Sequence, residues 1–101
     1  MKTPEEYQKY MADHGALSGE LSIEPGWFEL WPADQVAEHN QRYQTEERLP
    51  GFWGIGSNGG GEMIAFDAHG RVFMIPFVPL EAKAAIRIAD SWQEFQGKMQ
   101  M

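Results

Sequence analysis

Hydrophobic spacing along the chain switches between a helical and a strand period, and each switch marks an element boundary. In "TPEEYQKYMADHG" the residues Tyr7, Tyr10, Met11 and His14 fall on one helical face. Thr3 and Glu6 stand at capping-box spacing, Pro4 suits a first helical position, and Gly15 suits the left-handed residue that closes a helix. The next stretch, "GELSIEPGWFELW", alternates instead. Leu21 and Ile23 lie opposite Ser22 and Glu24, and Pro25-Gly26 fits the middle of a type II turn, so a hairpin is predicted. Beyond that turn Phe28 and Leu30 take the core face, which places Trp27, Glu29 and Trp31 on the other.

The helical period returns over residues 32–46, where Val36, Ala37, Asn40 and Tyr43 form a thin stripe and predict a well exposed second helix. "LPGFWGIG" reads as a loop entering a short strand. "GEMIAFD" and "RVFMIPF", joined by a tight "AHG" turn, are apolar at nearly every position and belong in the middle of a sheet, with Pro76 marking the end of ladder pairing. "PLEAKAAIRIA" fits either an extended segment or a short helical turn. "DSWQEFQGKM" predicts a closing helix: Ser91 and Glu94 form a capping box, and Trp92, Phe95 and Met99 repeat at helical spacing. Trp53 and Trp92 are expected in the core, and Trp27 and Trp31 at the surface.

Between these elements lies "GIGSNGGGE", residues 54–62, whose first six residues spell the dinucleotide-binding pattern G-x-G-x-x-G. That loop works only where it opens a helix, whose N-terminus holds the pyrophosphate. Here Gly61 leads into the apolar strand "EMIAFD", and no Gly-Lys-Ser/Thr follows. The stretch is therefore predicted to be a structural turn, built from Asn58, Gly59, Gly60 and Gly61, in which Asn-Gly supplies the hairpin signal.

Length and composition then restrict the classes of function. The chain has 101 residues, which suits one domain spanning 1–101, and no cysteine, which excludes disulfides and thiolate metal sites. The opening residues carry no apolar signal core and no run is long enough to span a membrane, so a cytoplasmic protein is expected. Residues 1–47 hold ten acids and three bases, whereas residues 48–101 hold five of each, so the whole net charge of −7 sits in the first half. Such a chain repels phosphate backbones and favours a basic protein partner over nucleic acid. A merely solubilising face is the plainer reading of the same charge.

Candidate chemistry is sparse. His14, His39 and His69 stand on separate elements without ligand spacing, Ser91 is placed as a helix cap, and no two carboxylates are set to face each other across a cleft. No catalytic residue, metal or cofactor is expected. The candidate partner-binding residues are the acids Glu20, Glu24, Glu29 and Glu38, with Trp27 or Trp31 as an aromatic anchor.

Two motifs together resemble a known family. "IGSNGGGEMIAFD" and "GRVFMIPF", followed by "IADSWQEFQ", are similar to the SUKH superfamily, at Gly56, Ser57, Gly59, Gly60, Gly61 and Glu62 and then at Ala89, Asp90, Ser91, Trp92, Glu94 and Phe95. Asn58 replaces the family's usual Asp, and Trp92 its usual Phe. The family's Leu-Pro-x-x-Tyr opening is absent from residues 1–19, so the resemblance covers about residues 20–97. It implies an α+β fold, with helices on a curved, mainly antiparallel sheet, and non-enzymatic work. Bacterial members look like immunity proteins that bind and block a toxin, often a nuclease. A basic nuclease toxin is thus one partner the resemblance suggests. A general interaction scaffold of the same fold and a small-molecule-binding domain stay open beside it, as does the oligomeric state.

Overall fold

The computed structural model describes residues 2–100. Helix α1 (Glu5–Ala12) precedes a hairpin of β1 (Ser18–Leu21) and β2 (Trp27–Leu30). A 3-10 turn (Ala33–Gln35) leads into α2 (Val36–Arg42) and α3 (Thr45–Arg48). Strands β3 (Phe52–Ser57), β4 (Glu62–Asp67) and β5 (Val72–Pro76) form a meander, and a 3-10 turn (Ala82–Ala84) precedes β6 (Ile86–Ala89). Helix α4 (Trp92–Gly97) and the short β7 (Met99–Gln100) close the chain. The seven strands make one sheet in the order β6-β5-β4-β3-β2-β1-β7, and every neighbouring pair is antiparallel. This is the α+β architecture expected, with helices on a curled sheet.

One face of the sheet carries the larger core. Phe28, Leu30, Ile55, Ile64, Phe66 and Val72 point toward α1 and α4. Tyr7 and Tyr10 of α1 meet Trp92 of α4 edge-on, at centroid distances of 5.2 and 5.1 Å, and Trp92 in turn lies 5.4 Å from Phe95. Trp92 and Phe95 are wholly buried, so truncating either to Ala would cost about 3–5 kcal/mol. The opposite face is covered only over β3–β5, where Leu49, Met63, Ala65, Ile75 and Leu80 form a second cluster. Toward β2 and β1 that face is open.

Several expectations shift in detail. Pro4 is the N-cap of α1 and not its first residue, and the cap has no side-chain bond. Thr3 is held instead by Gln8, whose amide donates to the Thr3 carbonyl at 2.9 Å and to its Oγ1 at 3.0 Å. The left-handed residue after α1 is His14 (φ 58°), a type that tolerates this region. Gly15 has a different use, because a Cβ there would collide with the Tyr10 ring. In the first hairpin Leu21 N–H donates to Gly26 O at 3.0 Å, and the turn closes from Gly26 N–H to Ile23 O at 2.8 Å. The ladder thus runs one place further than the type II reading allows, and Pro25 takes the third turn position.

The single helix predicted over 32–46 is in fact three pieces. Gln44 is left-handed (φ 56°), and the break between α2 and α3 turns Thr45 and Leu49 into full burial. A continuous helix would leave that second cluster without its lid. Trp53 is half-buried at the edge of the main core and not inside it. The ambiguous segment before residue 90 resolves into the 3-10 turn and β6. The last helix stops at Gly97, a poor helix former, and Met99 reaches the core from a strand paired with Leu21.

Candidate partner-binding surface

The open face of the sheet is built by strand alternation. In β2 Phe28 and Leu30 are buried, so Trp27 and Glu29 must face the other way, and both are exposed. Glu20 lies directly opposite Trp27 in the β1–β2 ladder and therefore shares its side. Trp27 is 39% exposed, and its indole N–H donates to Glu29 Oε2 at 3.0 Å, so the ring is held upright by a neighbour. Neither Glu20 nor Glu29 forms an ion pair among the described residues.

The Gly-rich turn borders this patch. Asn58 organises it: its Oδ1 accepts from Gly60 N–H at 3.0 Å and Glu62 N–H at 3.1 Å, and its Nδ2 donates to Glu62 Oε1. Ser57 Oγ accepts from Gly59 N–H. The turn joins β3 to β4, and Gly59 alone among its glycines has a positive φ, +75°. A Cβ on Gly59 would come within 2.6 Å of Glu29 Oε2 and 3.4 Å of Trp27 Cδ1. The missing side chain thus lets the turn lie against the Trp27–Glu29 pair. At its far end Gly61 O accepts from Phe77 N–H at 2.8 Å.

Phe77 ends a row of stacked rings. Trp31 follows Glu29 on the same side of the strand line and stacks on His39 of α2 at 4.4 Å and 22°. Tyr43, the residue that closes α2, continues the row and stacks on Phe77 at 4.9 Å and 29°. All four residues are half-buried. His39 and Tyr43 are four residues apart, one turn of α2, which sets them side by side. Their helix is clamped to the sheet by Asn40, whose Nδ2 donates to Gly54 O and whose Oδ1 accepts from Gly54 N–H, both at 2.8 Å.

The sequence candidates therefore separate. Glu20, Trp27 and Glu29 come together beside Asn58–Gly61, and Trp31 joins them to the stacked rings. Glu24 does not belong with them: it lines a separate cleft of about 410 Å³ with Ile23, Met74, Ile86 and Arg87. Glu38 is spent on an ion pair with Arg42 at 2.8 Å on the outside of α2. Tyr43 and Phe77 are not surface candidates in the sequence, and His39 enters there only as an exposed or capping imidazole without ligand spacing. Their signal was faint, since one aromatic per element looks like core filling. At the other end of the chain Ser91 Oγ accepts from Glu94 N–H at 3.1 Å, and Glu94 Oε1 accepts from Asp90 N–H at 3.0 Å, so both residues serve the start of α4.

Elsewhere the polar features are structural. Asp67 holds the β4–β5 turn: Oδ1 accepts from His69 and Arg71 N–H, and Oδ2 pairs with Arg71 Nε at 2.6 Å. Burial alone would raise this carboxyl, but those hydrogen bonds and the Arg71 charge outweigh it and hold it below the ordinary carboxylate value. Among the described residues no three His, Cys, Asp or Glu side chains gather as metal ligands, and no helix is long and apolar enough to cross a membrane.

A model of the SMI1 / KNR4 family (SUKH-1) matches residues 1–97. The chain belongs to this family. No curated protein matches it. The SMI1 / KNR4 match takes in α1, which the motif resemblance over residues 20–97 did not reach, so the unmatched opening motif leaves the first helix inside the family domain.

Proposed function

We propose that the protein is a non-enzymatic cytoplasmic immunity protein that binds and blocks a toxin with a basic surface, a nuclease being the partner chemistry that fits best. The observation that carries this reading is the uncovered sheet face at Trp27, where a held aromatic ring stands between two carboxylates that form no ion pair among the described residues. A basic toxin meets charge there at the rim and ring surface at the centre. Rim carboxylates mainly raise the association rate, and buried aromatic anchors mainly slow release. A nuclease carries the complementary cationic surface because it must grip phosphates. The SUKH-1 membership supports the same class of work.

The test uses the reading frame beside this gene. Its toxin-like product, expressed alone, should arrest growth, and co-expression of this chain should relieve the arrest through a purified complex. Glu20→Lys with Glu29→Lys should slow association at low salt and flatten its salt dependence, whereas Trp27→Ala should mainly speed release. A harmless neighbour, or no complex with it, would overturn the immunity reading. A complex indifferent to all three substitutions would move the binding site away from this face.

A further inference from the structure

We propose that the groove between α1 and α2 seats an uncharged apolar segment of the protein partner, one of whose peptide carbonyls accepts a hydrogen bond from the Tyr7 hydroxyl. This rests on the reading of the chain as a protein-binding domain, and it adds a contact surface that shares no residue with the Trp27 face. The groove has a volume of about 440 Å³. Its floor is Tyr7, Val36, Met11 and Trp53, buried or half-buried, and its rims are the exposed Gln8, Ala12, Ala33 and Ala37.

The Tyr7 hydroxyl is the sign of a missing partner. Tyr7 is 5% exposed, and its ring packs edge-on against Phe66 and Trp92 at 5.3 and 5.2 Å. Buried tyrosine hydroxyls normally find a partner. Tyr10, three residues on, does so by donating to Ala16 O. The Tyr7 hydroxyl has none among the described residues, and burial alone pushes the phenol up to about 12, with no hydrogen bond or charge acting on it. It is nonetheless within reach of a guest. The unpartnered side-chain atoms that are sealed from solvent are His39 Nδ1 and Thr45 Oγ1, whereas Tyr7 lines this groove.

The rest of the groove says what the guest is. A phenol donates readily to a carbonyl oxygen, which every peptide bond supplies. No charged side chain among the described residues lines the groove, and the Gln8 amide is engaged by Thr3. A carboxylate or an ammonium would therefore be desolvated there without a counter-charge. Met11, Val36 and Trp53 favour an aliphatic side chain instead. Sites for free small molecules enclose most of the ligand. This groove is open along its rims, so a metabolite would stay largely in water, whereas a chain segment continues over both rims and covers them.

The groove is tested without any toxin, so its failure and that of the immunity reading are separable. Acetyl-Ala-Leu-Ala N-methylamide is titrated into the labelled protein, and the Met11 methyl and the Trp53 indole N–H are followed by NMR. Saturable shifts of both are expected, and none that saturate when the central residue is lysine or glutamate. Tyr7→Phe should weaken binding about fivefold, the worth of one hydrogen bond, and leave the melting temperature unchanged or raised, because it removes an unpaired buried hydroxyl. Ala37→Glu, at an exposed position on the rim, should abolish binding and keep the fold. Shifts that fail to saturate, that are the same for the charged peptides, or that survive both substitutions would overturn the proposal. A lower melting temperature for Tyr7→Phe would show that the hydroxyl already has a partner inside the fold and would overturn it too. Equal affinity for N-acetyl-leucine N-methylamide would make the groove a site for a residue-sized molecule and would overturn its assignment to a chain segment.

Discussion

Replacing Asn40 by Ala should damage this protein more than its position on a thin helical stripe suggests. Asn40 is 3% exposed and makes three side-chain hydrogen bonds of 2.8 Å, to Val36 O, Gly54 O and Gly54 N–H. Gly54 is itself buried and sits where the β3–β4 register shifts, so its peptide groups facing α2 have no strand partner to fall back on. Truncation leaves a donor and an acceptor in the interior, at about 1–3 kcal/mol for each group. The combined loss is about 3–5 kcal/mol, a large part of the 5–15 kcal/mol or so that a domain of this kind possesses. A melting temperature lower by at least about 12 °C follows for a chain of this length. Urea denaturation measures the loss directly, and hydrogen exchange at Gly54 N–H reports whether the clamp itself has opened. Asn40→Asp separates the two bonds to Gly54, since it retains an acceptor for the N–H but removes the donor to the carbonyl. A loss below about 1 kcal/mol with Gly54 still protected would refute the reasoning and mean that the bulge is held by strand pairing alone.

Gly59→Ala should lose about 1 kcal/mol or more, because φ is +75° and the new methyl meets Glu29 Oε2; a changed Trp27 fluorescence would accompany the loss, and unchanged melting with unchanged emission would count against the packing described. Ser91→Ala should lose about 1 kcal/mol through the unpaired Glu94 N–H, read by thermal denaturation against Gln93→Ala as an exposed control. Asp67 has a carboxyl held below its unfolded value, so its contribution is complete above about pH 4 and is lost as pH falls toward the lower folded value. Asp67→Asn should flatten that acid limb of the stability curve, and an unaltered limb would show that the Arg71 pair carries no linkage.

The strand and helix periods were readable locally because each depends on which residues lie two, three or four apart. Phe28 and Leu30 against Trp27 and Glu29, the β4–β5 pair, the Asn58–Gly61 turn and the Ser91 cap are all short-range consequences of side-chain alternation or of a single hydrogen bond to a nearby N–H. The family motifs were legible for the same reason. Position in the sheet was not. That β7 closes on β1, and that Met99 leaves a predicted helix to do so, depends on Ser22 N–H reaching Lys98 O across most of the chain. Gln44 gave no warning of a left-handed break, since only the burial of Thr45 and Leu49 against a distant face makes that conformation favourable. The candidate surface divides along the same line. Alternation within one strand put Trp27 and Glu29 on one side, and strand pairing added Glu20. Only the docking of α2 on β3 through Asn40 brought His39 and Tyr43 beside Trp31, and only the return of the chain after β5 supplied Phe77. Charge along the sequence could not say that Glu24 and Glu38 lie elsewhere, because electrostatic complementarity belongs to a surface and a surface is assembled from residues that are remote in the chain.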